Sequence, residues 1–368
     1  MEGLVNVRTS FGGAFADKRV LLTGHTGFKG AWLSRWLLDL GAQVTGYALE
    51  PDTTPSLYSD LDLRALMDSR IGDIRDADRL SAVLTEVRPE VVFHLAAQPL
   101  VRRSYAEPKY TFETNVLGTV NLLEAVRASA DCRVVVNVTT DKVYANPETG
   151  DAFDEACPLG GFDPYSASKA ASELVTAAYR DSFFSAPDMA ALATARAGNV
   201  IGGGDWAVDR LVPDCTRALL AGDPVVVRNP GSTRPWQHVL DPLSGYLRLG
   251  SVLLGDRSLA GAFNFGPDPA AVRSVGELAD EFVSVWGSGS WSAPDTGVHP
   301  HEAAQLRLAI AKAGRELQWS PLWDFDTAVE RTAAWYRAYC AGESASDLVE
   351  ADLGAYEVAA RVAGAAWA

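Results

Sequence analysis

Four short apolar runs mark the first 140 positions, and a longer amphipathic stretch follows most of them. "RVLLT" at 19–23, "QVTGYAL" at 43–49, "VVFHLA" at 91–96 and "RVVVNV" at 133–138 are short and apolar on both faces, which predicts buried strands. Between them, residues 31–40, 76–87 and 111–128 repeat apolar positions at helical spacing. A helix over 164–184 and a strand over 191–195 continue the pattern. This alternation predicts an α/β fold, a doubly wound parallel (Rossmann) sheet with ligands at the carboxyl ends of the strands.

After about Asn199 the texture changes. Glycines, prolines and arginines crowd into "GGGDW" and "RNPGSTRPWQHV", which reads as a smaller C-terminal substrate-binding lobe. The expected division is 18–198 for the sheet domain and 199–340 mainly for the lobe, with excursions back to the sheet. The Ala/Gly-rich stretch 341–368 reads as a peripheral or mobile tail.

Composition narrows the partners. A formal net charge of −15 argues against a nucleic-acid or anionic-membrane surface. Cys132, Cys157, Cys215 and Cys340 lack CxxC spacing and read as free thiols in a reducing compartment. His299 and His301 flank Pro300 with no further ligands near them, so no metal is expected. No apolar run is long enough to span a bilayer, and residues 1–18 lack a signal-peptide pattern, so a cytoplasmic protein is expected.

"TGHTGFKG" (23–30) follows the first strand and opens a helix, with Gly24, Gly27 and Gly30 spaced GxxGxxG. Such a loop lets a dinucleotide pyrophosphate approach the positive helix N-terminus. Trp32 and Trp36, one turn apart, read as packing against the sheet. Cofactor choice stays open on these residues. The acid near the end of the second strand, Glu50, comes late for a ribose contact, and Lys29 suits either a 2′-phosphate or solvent. Asp73 suits an adenine edge or a helix cap.

"DPYSASKAASEL" sets Tyr165 and Lys169 four residues apart, on one helix face. A phenol is a poor base at neutral pH, and a nearby ammonium together with a nicotinamide ring would favour its phenolate. Upstream, "NVTTDKVY" (137–144) puts an acid and a lysine at a strand mouth, either a solvated ion pair or part of a proton-handling site.

The chain resembles the extended short-chain dehydrogenase/reductase family through TGHTGFKG, "HLAAQ" (94–98), "TNVLGTVNLLEA" (114–125), the strand-end threonines and YSASK. Within that family it is most similar to the CDP-glucose 4,6-dehydratase group, through "TTDKVY", "PLGGFDPYSASKAASEL", "ARAGNVIGGGDWAVDRLVPD" and "RPWQHVLDPLSGYL". The resemblance covers about 18–339. It implies a lyase with tightly held, recycled NAD, NADP being the lesser candidate, and CDP-glucose or a related NDP-hexose as substrate. The implied reaction is oxidation at C4, loss of water across C5–C6 and hydride return to C6. A dehydratase for another nucleotide sugar and an NDP-sugar 4-epimerase are the alternatives. A non-catalytic dinucleotide sensor fits poorly with an intact Thr140, Tyr165 and Lys169.

The resemblance also assigns roles. Tyr165 is the base at O4, Thr140 its partner, and Asp141 the acid for the leaving 6-hydroxyl. Lys142 stands where the dTDP-glucose enzymes carry a glutamate base, and Lys169 supports Tyr165. Cofactor contacts are expected from Gly24, Thr26, Gly27, Phe28, Lys29 and Gly30. Further contacts are expected from Asp73, Ile74, Leu95, Ala96, Ala97 and Asn115, and from Tyr165 and Lys169. Substrate contacts are expected from Gln98, Asn199, Arg210, Leu211 and Arg228. Arg234 is the first candidate for the diphosphate; Asn264 and His301 are weaker ones. Ala309 replaces the aspartate usual in the family, which predicts a lost helix cap. A homodimer through a four-helix bundle of 111–128 and 164–184 is implied by the same analogy.

Overall fold

The computed structural model describes residues 7–268, 272–294 and 305–368. Seven parallel strands form the central sheet: β1 (Arg19–Thr23), β2 (Gln43–Ala48), β3 (Asp68–Ile71), β4 (Val91–His94), β5 (Val134–Val138), β6 (Ala191–Ala197) and β7 (Ala262–Phe265). Their order is β7-β6-β5-β4-β1-β2-β3. The chain moves outward to β3 and then restarts on the other side of β1 at β4, so a crevice opens at that switch point. Register aligns Thr23 with His94, and His94 with Asn137, which brings the ends of β1, β4 and β5 level.

The helices that matter for the site are α1 (Phe28–Asp39), α2 (Ala77–Val87), α3 (Gly118–Arg127), α4 (Pro164–Ser182), α5 (Leu211–Ala221) and α6 (Leu240–Gly255). They are followed by α7 (Val275–Trp286), α8 (Phe325–Cys340) and α9 (Ala345–Val362). Central strands β1, β4 and β5 are buried along nearly their whole length, as continuous apolar runs require.

Three elements differ from the sequence expectation. β3 and β7 were not anticipated, because "DSRI" and "AFNF" are four-residue segments with polar members. The helix expected over 111–128 is interrupted: a wide π turn at Glu113–Leu117 separates Pro108–Phe112 from α3. The tail docks through α9 and the residues after it: Tyr356 and Trp367 are buried against Trp36, and Trp367 also stacks on Phe11. Trp36 therefore packs on the tail as well as the core, and its indole donates to Glu357 at 3.3 Å. Ala309 lies in extended chain, where its amide donates to the Phe153 carbonyl at 2.8 Å.

Candidate active site

A cavity of about 720 Å³ opens at the switch point, between the strand ends and the segments that follow β6. Its floor begins with the glycine loop. Gly24 has φ +79°, and a Cβ there would lie 2.7 Å from the Ala96 amide nitrogen; one on Gly30 would lie 2.0 Å from the Gly24 carbonyl oxygen. Gly27, the N-cap of α1, offers its first turn no side-chain hydrogen bond. The free amides at the head of this helix, in a cradle a larger residue would fill, fit a dinucleotide pyrophosphate.

Thr26, Phe28, Ile74, Leu95, Ala96 and Ala97 line the same wall. Asp73 lines it too, but its carboxylate takes the Arg75 amide at 2.9 Å and the Arg75 guanidinium at 2.6 Å. The Arg75 contact pulls the carboxyl below its usual range. The helix it precedes is capped by Asp76 instead. Lys29 is half-buried rather than solvated and lines the cavity, its Nζ 3.3 Å from the Tyr246 hydroxyl on α6. Burial first, then Arg210, lowers it to about 7.

Strand β5 delivers the polar centre. Thr140 caps a single turn at Asp141–Val143, and its hydroxyl donates to Asp141 Oδ1 at 3.0 Å. Lys142 Nζ lies 3.4 Å from the same oxygen and 3.4 Å from Asn199 Oδ1. Asp141 and Lys142 are 1% and 14% exposed, which rules out a solvated surface pair. Asp141 Oδ2 is buried with no hydrogen-bond partner among the described residues.

Asp163 caps α4, and Pro164 opens it. The helix then presents Tyr165 and Lys169 to the cavity. Burial pushes the Tyr165 phenol up to about 12, while a hydrogen bond with Thr140 opposes the rise. Arg210 is a cation that acts on Tyr165. Lys169 Nζ donates to the Val138 carbonyl at 3.0 Å and is lowered to about 8 by burial, with Glu173 opposing.

The far wall carries arginines. Arg210 pairs with buried Asp205 at 3.0 Å, and Arg228 with Asp209 at 3.0 Å. Asp209 also reaches Arg102 at 3.3 Å, tying that wall to the short helix Val101–Ala106 that follows β4. Arg234 is buried, it and Leu211 both line the cavity, and Asn199 faces Lys142.

Three expected contacts are built differently. Gln98 lines the cavity, yet its amide is engaged by Leu100 and Thr111, shaping the loop. Asn115 lies behind the lining: its amide clamps both main-chain groups of Gln98 and donates to Ser168 at 2.8 Å. Asn264 is buried away from the cavity, donating to the Phe153 and Ala309 carbonyls and accepting from Tyr144. Each of these amides meets partners inside the protein. His301 lies outside the described residues. The sequence reading missed Asp205, Asp209 and Thr114, which also line the cavity. The acids one and five residues before Arg210 were the available signal.

Residues 21–251 match the model of the family described as GDP-mannose 4,6 dehydratase. A CDP-glucose 4,6-dehydratase from Salmonella typhimurium is 48% identical over 331 residues, covering 89% of this chain and 92% of that protein. The chain belongs to the nucleotide-sugar 4,6-dehydratase family. A UDP-glucose 4-epimerase from Mycolicibacterium smegmatis is a more distant relative of this dehydratase-family chain, 32% identical, with 87% and 98% of the two chains covered. Among solved structures, the dTDP-glucose 4,6-dehydratase of Streptomyces venezuelae, crystallised with NAD bound, is 29% identical with TM-score 0.72. That match covers 86% of this chain and 96% of the other. The dehydratase family thus supplies the context for the tyrosine, lysine and acid gathered in this cavity.

Proposed function

We propose that this chain converts CDP-glucose to CDP-4-keto-6-deoxyglucose with tightly held NAD, the dinucleotide lying on 18–198 and the sugar nucleotide mainly on 199–340. The observation that carries this reading is the meeting of the Thr140–Tyr165–Lys169 group and the Asp141–Lys142 couple in one cavity. The 48% identity to a CDP-glucose enzyme supports the choice of nucleotide.

NAD bound at the head of α1 supplies the oxidant at C4 and the reductant at C6. The chain's own residues handle the protons. Tyr165 takes the O4 proton while Thr140 holds O4 in place. Arg210 favours the phenolate against the burial that otherwise raises it, and Lys169, one turn along the same helix face, is the ammonium that supports Tyr165. The 4-ketone acidifies the C5 proton, and Lys142 either takes that proton or holds the charge of the enolate. Asp141 uses Oδ1 to accept from Thr140 and Lys142, so its unpartnered Oδ2 is the atom placed to carry a proton to the leaving 6-hydroxyl. Two protons are taken, from O4 and from C5, and two are returned, one to the departing hydroxyl and one to C5 as hydride adds at C6, so the balance is one water lost. Arg228 and Arg234 face the diphosphate, with Asn199 and Leu211 at the sugar and nucleotide.

We also assign a homodimer. Leu117 and Leu174 are 53% and 59% exposed, and Phe112 and Phe183 are exposed as well, on the helices expected to form a four-helix bundle. Free cysteines and the negative net charge support a cytoplasmic location. The test is incubation with a panel of NDP-hexoses, without added NAD. Loss of one water from CDP-glucose, together with the alkali-induced 4-keto chromophore, is expected. An isomer of unchanged mass would replace dehydration by epimerisation. Light scattering of the purified protein checks the dimer.

A further inference from the structure

Tyr165 and Lys169 belong to a longer stripe. Glu173 lies one more turn along α4 on the same face. Its carboxylate is 3% exposed and meets three donors: the Thr139 hydroxyl at one oxygen, and Thr194 at 2.8 Å and Arg196 at 2.8 Å at the other. Thr139 directly precedes Thr140 at the end of β5, while Thr194 and Arg196 stand on β6. Arg196 is only 4% exposed, donates to the Tyr144 hydroxyl at 2.9 Å and lies over that ring at 5.1 Å. The Tyr144 hydroxyl in turn donates to Asn264 at 2.7 Å. Isolated, such a buried ion pair is weak support for stability. Here its position gives it another use.

The charged and titratable groups around Lys169 are few. On its own helix are Tyr165 and Glu173. From β4 comes His94, from α1 Lys29, and beyond Glu173, from β6, Arg196. His94 is held neutral by burial, and Lys29 opposes a second positive charge. Glu173 is therefore the acid acting on Lys169, and it works against the burial that favours the neutral amine.

We propose that Glu173 is a positioning residue of the active site: fixed by Arg196, Thr139 and Thr194, it supplies the buried negative charge that keeps Lys169 an ammonium and anchors the strand end that carries Thr140. This rests on the role given above to the Tyr165–Lys169 pair. Its first test needs no substrate. Lys169 in the purified protein is labelled with a small amine reagent across a pH series, and the modified peptide is quantified by mass spectrometry. Only the neutral amine reacts, so Glu173→Gln should move the labelling midpoint down by about one pH unit or more. The alkaline limb of the CDP-glucose activity profile should move down with it, and Glu173→Asp should restore most of both.

If Glu173→Gln fails to fold, Glu173→Gln/Arg196→Met removes both buried charges together, and its midpoint should still fall. A lowered melting temperature with an unmoved midpoint, in whichever variant folds, would overturn the proposal and leave a purely structural pair. A moved midpoint in a protein inactive on every NDP-hexose would uphold the charge relation and fail the substrate reading alone.

Discussion

Helices α4 and α9 both hide acids from water, and they satisfy them differently. On α4, Glu173 gathers a guanidinium and two hydroxyls. On α9, Asp352 has Arg331 at 3.5 Å, and its Oδ2 lacks a hydrogen-bond partner among the described residues. Its neighbour Glu357 faces the Trp36 indole and Arg361. Asp241 on α6, beneath α9, accepts the Tyr356 hydroxyl at 2.7 Å and the Leu322 amide at 2.8 Å. Burial pushes Asp352 up to about 7 and Asp241 up to about 6. A full set of donors keeps a charge at work beside a reaction centre. An under-supplied set makes the docking of a helix depend on pH.

The same atom removed from each helix should separate these uses. Tyr165→Phe is expected to lower kcat by about 10²–10⁴-fold while leaving the melting temperature near wild type, measured by initial rates and calorimetry. At the strand mouth that faces α4, Lys142→Ala should slow solvent exchange of the sugar C5 proton about tenfold or more beyond its effect on C4 oxidation. Equal losses in the two steps would remove its elimination-specific role. Tyr356→Phe, by contrast, should cost about 1–3 kcal/mol of stability by leaving Asp241 short of a donor, with activity per folded molecule unchanged. A catalytic defect there would erase the distinction between the two helices.

The smallest effect concerns pH. An acid held above its unfolded value contributes stability that is full below about pH 4 and fades as pH rises through the folded value, about 7 for Asp352. Asp352→Asn mimics the protonated form. It should raise the melting temperature at pH 8 by roughly 2 °C and make no difference at pH 4. A gain that is the same at both pH values would show that the Asp352 charge is not the cause.

The sequence made the catalytic half of this contrast visible and the docking half invisible. The glycine loop, the Thr-Thr-Asp-Lys segment and the Tyr–Lys helix are local patterns, in which spacing alone puts groups on one face. β1, β2, β4 and β5 are legible for the same reason, as unbroken apolar runs. What escaped depends on partners remote in sequence. Gln98, Asn115 and Asn264 carry amides suited to a ligand, yet Thr111, Ser168 and Tyr144 reach them first. Lys29 sits in the glycine loop but its destination, Tyr246, is 217 positions away. Glu173 could be read from the α4 stripe, whereas its pairing with Arg196 needed the sheet register. The alanine-rich α9 concealed how much its few aromatic residues bury.

Those rings have a use of their own. Phe11 stacks on Trp367 at 4.7 Å, Trp367 meets Trp36 at 6.0 Å, and Tyr356 closes the group against both indoles. Aromatic transitions held this close and at fixed angles couple to one another, so the cluster should dominate a distinct part of the near-ultraviolet circular dichroism. The protein thus carries an optical reporter of tail docking, at the opposite end of α1 from the glycine loop.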